Sequence, residues 1–84
     1  MVTQDTTLNE LFEKACSNAS TIVQEGELFR VKDLFTGVEW SRIPKGLRTK
    51  LGVMFFAYVN EEASDIFNPI GKTPQNQQIY KKLS

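Results

Sequence analysis

Between Pro44 and Glu62 the apolar residues Leu47, Leu51, Met54, Phe55, Tyr58 and Val59 follow one another at helical spacing and fall on one face. This stripe limits the fold more than any other feature. A single helix cannot bury its own apolar face, so the rest of the chain must supply a second layer. Pro44 suits the first turn, where its missing amide would be unpaired anyway, and Ser41 stands where a capping hydroxyl would be. Gly46 and Gly52 interrupt the pattern. Each costs roughly 1 kcal/mol against alanine, and such glycines often admit a close backbone neighbour. Glu61, Glu62 and Ser64 close the element.

The flanking sequence predicts the layer. Thr7-Leu8-Asn9-Glu10 reads as a capping box. Behind it Leu8, Leu11, Phe12, Ala15, Ala19, Ile22 and Val23 form a second helical stripe, so a first helix is expected from Leu8 to Gln24, stopped by Gly26. Glu27 to Val31 reads as a short strand and Lys32 to Phe35 as a short helix ended by Gly37. Val38-Glu39-Trp40 makes a further turn or a corner, with Trp40 anchoring the core beneath it rather than stacking on a ligand. Ile66 to Ile70 and Gln78 to Leu83 are β-prone and separated by a polar loop. Pro69 places the first of them at a sheet edge or strand end.

Helix, short strand, two helices and a C-terminal β-hairpin is the order of a winged helix-turn-helix-like α+β fold. One domain over residues 1–84 is expected, with residues 1–6 loosely ordered. The expected core is Leu11, Phe12, Ile22, Phe29, Val31, Leu34, Trp40, Leu51, Phe55, Tyr58 and Ile79.

Composition removes several functions. No apolar run approaches the ~18 residues of a membrane span. The start, Met1-Val2-Thr3-Gln4-Asp5, lacks a signal-peptide pattern, so a cytoplasmic protein is expected. There is no histidine and one cysteine, Cys16, which rules out an internal disulfide and leaves no basis for a zinc site. Cys16 lies beside the first stripe and reads as a small hydrophobe. Gly71-Lys72-Thr73 ends like a phosphate-binding loop but lacks the first glycine and the strand-to-helix context. No enzyme, cofactor or metal is expected.

Charge supplies the functional reading. Residues 1–41 hold seven acidic side chains against three basic, and residues 42–84 hold seven basic against three acidic, so the halves carry −4 and +4. In a helix-turn-helix the start of the second helix reaches the bases. Arg42, Lys45, Arg48 and Lys50 sit there, and Lys72 sits in the expected wing. These five residues are the candidate DNA-binding set, with affinity drawn mainly from phosphates. Dimerisation through the first helix would strengthen so small a cluster. The competing reading is a protein-interaction module using the acidic first helix, with Glu10 and Glu13, or Phe56, which lies off the long stripe. Phe56 is either packed under the hairpin or exposed for a partner.

The segments "GELFRVKDLFTGVEW", "RIPKGLRTKLGVMFFAYV" and "GKTPQNQQIYKK" resemble a small uncharacterised single-domain family of bacteria, their phages and plasmids, a domain of unknown function. The resemblance runs from Gly26 to Lys82 and carries no functional residue with it. It implies a small cytosolic accessory protein of a mobile element; a phage or plasmid product that binds a host protein belongs to the competing interaction-module reading.

Overall fold

The computed structural model describes residues 4–84, with side chains from Thr7 onward. Helix α1 spans Gln4–Thr21, strand β1 Leu28–Phe29, a 3-10 turn Val31–Leu34, helix α2 Gly37–Arg42, helix α3 Lys45–Glu61, strand β2 Phe67–Lys72 and strand β3 Gln78–Lys82. The strands form one antiparallel sheet in the order β1-β3-β2. This is the winged-helix-like α+β architecture that the element order predicts.

The details differ from expectation where local chemistry overrides pattern. Helix α1 begins at Gln4, so Thr7 lies inside its first turns rather than capping it, and residues 4–6 are helical. The expectation of loose order at residues 1–3 lies outside the described residues. The partner of α3 in the helix-turn-helix is α2, not the segment after β1. Thr36 caps α2: its hydroxyl accepts from the Glu39 amide at 3.0 Å, and the Glu39 carboxylate accepts from the Thr36 amide at 3.0 Å. Ser41 is therefore inside α2 and does not cap α3, whose N-cap is Pro44. Only Ile43 and Pro44 separate the two helices, a tight turn. Gly46 and Gly52 admit no neighbouring backbone: a Cβ at either would meet nothing within 4 Å.

The core joins α3 to the sheet through four aromatic rings. Tyr80 stacks on Phe29 at 5.5 Å and meets Phe55 edge-on at 5.2 Å, while Phe67 lies 5.6 Å from Phe29 and 6.1 Å from Phe55. Around them Ala15 and Ala19 of α1, Leu34, Ile43, Leu47, Leu51 and Val59 are buried. Leu11, Phe12, Trp40 and Tyr58 pack at its border. Two expected core residues are not in it. Ile22 is 63% exposed because α1 ends at Thr21 and carries it past the packed length. In β3 the inward residue is Tyr80, so Ile79 turns to the opposite face of the sheet.

Lys82 closes the fold from inside. Its side chain is buried, and Nζ donates to the carbonyls of Ser20 at 2.8 Å and Val23 at 2.7 Å. It thereby satisfies one carbonyl in the last turn of α1 and another in the segment that follows the helix.

The hairpin is built for rigidity. β2 is an edge strand, which tolerates Pro69, and it carries a bulge between Pro69 and Gly71. At the tip the Asn76 amide donates to the Thr73 carbonyl at 2.8 Å, and Asn76 takes φ +66°, a left-handed conformation asparagine adopts readily. The Thr73 amide donates to the Gln77 carbonyl at 2.9 Å, and the Thr73 hydroxyl accepts from the Gln77 amide at 3.1 Å.

Candidate nucleic-acid interface

Helix α3 and the hairpin enclose a groove of about 640 Å³. Its walls carry Arg30, Lys32, Lys45, Arg48 and Lys72, half of the chain's ten basic residues, and no acidic residue. Those cations come from three separate stretches: the start of α3, the wing, and the junction of β1 with the 3-10 turn. Between them lie Trp40, Val53 and Phe56, with Val53 and Phe56 exposed. Such a site can hold anionic oxygens at its rim and a flat apolar group against its floor.

Of the five residues singled out from sequence, the fold brings Lys45, Arg48 and Lys72 to this groove. Lys45 and Lys72 are exposed at its rim. Arg42 ends α2 and Lys50 lies about 140° around α3 from Lys45; both are exposed and neither lines the groove. Arg30 and Lys32 were missed, because a strand with an adjoining turn gives no sign that it will return beside the wing. Phe56 is exposed in the groove instead of packed under the hairpin.

Arg48 has two roles. Its Nε donates to the Ile43 carbonyl at 2.9 Å and its Nη2 to the Ser41 carbonyl at 3.3 Å, which holds the α2–α3 turn. Its guanidinium also lies 5.5 Å from the centre of the Trp40 ring. Trp40 in turn packs on Phe35 at 5.8 Å, so it anchors the corner and lines the groove at once.

Arg30 is similarly fixed. Nε and Nη2 each donate to the Asp33 carboxylate at 3.1 Å, and Nη1 donates to Gln77 Oε1 at 3.3 Å. The last contact ties the wing to β1. Burial alone would raise the Asp33 carboxyl, but hydrogen bonds and charge from Arg30 outweigh it and hold the group below its ordinary value. Elsewhere Lys14 pairs with Glu39, whose carboxyl is held low by that contact and by the Thr36 amide. The Cys16 thiol is pushed up to about 11 by burial, then by Glu13 and Glu62, so it is not a nucleophile near neutrality. Among the described residues no group of histidine, cysteine and carboxylate side chains could hold a metal, and no helix is long and apolar enough to cross a membrane.

Fold and groove together define a small winged-helix-like α+β protein whose helix-turn-helix and wing share one basic concave face. The chain belongs to the family described as Domain of unknown function (DUF1413), which matches residues 13–82. The fold is also that of a solved structure described as "SCCmec type IV LP1413 - nucleic acids binding protein". The likeness has a TM-score of 0.75 at 14% sequence identity and covers 100% of this chain and 95% of that one. At that identity the likeness is one of fold. No curated protein matches the sequence.

Proposed function

We propose that the protein is a small non-enzymatic DNA-binding protein with an accessory or regulatory role in the cytoplasm. The observation that carries this reading is the convergence of Arg30, Lys32, Lys45, Arg48 and Lys72 on one groove that no acidic side chain lines. A chain of zero net charge has no general affinity for polyanions, so attraction must come from where its charges sit. Lys45, Lys72 and Lys32 supply phosphate contacts. Arg48 and Arg30, held in fixed orientations, supply directional ones. Arg42 and Lys50 serve as flanking phosphate contacts. The solved neighbour described as a nucleic acids binding protein supports the same assignment. Titrating binding to mixed-sequence duplex DNA against salt tests it. Affinity that falls linearly with log salt supports the reading, and no binding at low salt removes it.

A second reading rests on Val53 and Phe56, which put exposed apolar surface between the cations. An acidic amphipathic segment of a protein, such as a host protein met by a phage or plasmid product, would match that pattern. It would bind in the groove with duplex DNA excluded.

A further inference from the structure

Four consecutive amide side chains, Gln75, Asn76, Gln77 and Gln78, line the groove from the wing, and no other element contributes an amide to it. Two of them serve the fold. Gln77 Oε1 accepts from Arg30 Nη1 at 3.3 Å, and Gln78 Nε2 donates to the Gly71 carbonyl at 2.8 Å. Gln75 and Asn76 differ: both are exposed at the tip, and neither side chain has a hydrogen-bond partner among the described residues. Turn chemistry accounts for the Asn76 backbone at φ +66°, but glycine would serve there equally well, and the turn needs nothing from the Gln75 side chain. Helix α3 presents the opposite chemistry. Beyond Arg48 its residues on the groove are Thr49, Gly52, Val53 and Phe56. The Thr49 hydroxyl donates to the Lys45 carbonyl at 3.2 Å, and the Nε and Nη2 of Arg48 are engaged by the Ile43 and Ser41 carbonyls. So α3 offers a phosphate the point charge of Lys45, and offers base edges neither an amide nor a free guanidinium fork.

We infer that the wing tip, rather than α3, reads the DNA: Gln75 and Asn76 donate to base acceptors in the minor groove, so the site favours A·T-rich duplex. This rests on the DNA-binding reading and deepens it by naming which duplex the groove takes. A helix-turn-helix seats its second helix in the major groove. The phosphate strand bordering that groove then follows the protein's cations, and the wing, on the far side of the strand, meets the neighbouring minor groove. There an A·T pair shows only acceptors, adenine N3 and thymine O2, whereas guanine adds an amino group that stands in the way of a donor. A carboxamide N–H suits the first floor and not the second. A·T tracts also narrow the minor groove and deepen its negative potential, which favours Lys72 at the root of the wing.

The test compares three labelled duplexes of equal length: one A·T-rich, one G·C-rich, and the G·C-rich one with inosine in place of guanine. Inosine lacks the minor-groove amino group but matches guanine in the major groove. The parent is expected to bind the A·T-rich and inosine duplexes alike, and the G·C-rich duplex about tenfold more weakly. In Gln75→Ala with Asn76→Gly, which keeps the left-handed turn open to the chain, that ratio should fall towards one while the salt slope stays that of the parent, since no charge is lost. Gln75→Ala alone, at an exposed position that the turn does not use, should lower the ratio in a protein that melts with the parent. Equal parent affinity for all three duplexes would overturn the proposal. So would an inosine duplex that binds like the G·C-rich one, which places the reading in the major groove, or a ratio that survives in the folded variants. Failure of the parent to bind any of the three would remove the DNA-binding reading itself, a different result from binding without preference.

Discussion

The Arg48 guanidinium lies 5.5 Å from the centre of the Trp40 ring while its Nε donates to the Ile43 carbonyl at 2.9 Å. One side chain thus joins the α2–α3 turn to the floor of the groove. Its removal affects both the fold and the surface, which separates it from its neighbour Lys45.

Arg48→Ala is expected to lower unfolding free energy by about 1–2 kcal/mol, through two lost carbonyl contacts and the stack on Trp40. Lys45→Ala, at an exposed position without a side-chain partner, should stay within about 0.5 kcal/mol of the parent. Urea denaturation of both variants checks the contrast. Equal effects would mean that Arg48 does not brace the turn.

Phe55 is fully buried and sits at the meeting point of Phe29, Phe67, Tyr58 and Tyr80. Phe55→Ala should cost about 3–5 kcal/mol. In a chain this short that is most of the available stability, so circular dichroism should show extensive unfolding at room temperature. A melting temperature that barely moves would place the residue outside the core.

Lys81 and Lys82 are chemically identical neighbours with opposite surroundings. Lys82→Ala strands the Ser20 and Val23 carbonyls and should cost about 1–3 kcal/mol, whereas exposed Lys81→Ala should be near neutral. Thermal melts of the pair provide the comparison, and matching values would contradict the cap on α1.

The Arg30–Asp33 pair sets an acid limb. Asp33 is held below its ordinary value of 3.8 in the folded chain, so the unfolded chain binds its proton first as pH falls. The stability it contributes is therefore present above about pH 4 and lost as pH drops through the lower folded value. The side chain is 40% exposed, which keeps the contribution small. Asp33→Asn should flatten this part of the stability–pH curve. An unchanged acid limb would show that the pair contributes nothing.

How far the sequence could be read follows from how local each signal is. The α3 stripe is local, and its residues Leu47, Leu51, Phe55 and Val59 are all buried. The cap at Thr36 and Glu39 is equally local and marks the start of α2, but Gly37, a poor helix former, stands directly behind it and argues for a break at the same place. Ile79 and Tyr80 show the opposite case. Alternation predicts that one of them faces in, but pairing with Phe29 and Pro69 decides which. Lys82 reads as surface charge because the carbonyls it caps lie about sixty residues earlier. The groove was half legible for the same reason. Lys45, Arg48 and Lys72 belong to elements whose roles follow from the fold class, whereas Arg30 and Lys32 reach the site through tertiary packing alone.

The most direct measurement is the salt dependence of duplex DNA binding for the parent, Lys45→Ala, Lys72→Ala and Lys81→Ala, each checked for folding. Lys45 and Lys72 line the groove from different elements, and Lys81 lies on the outer face of the sheet. The slope of log affinity against log salt should fall by about 0.9 for each of the first two variants and remain unchanged for the third. Equal slopes for all four folded proteins, or no binding by the parent at low salt, would contradict the assignment of this groove to DNA.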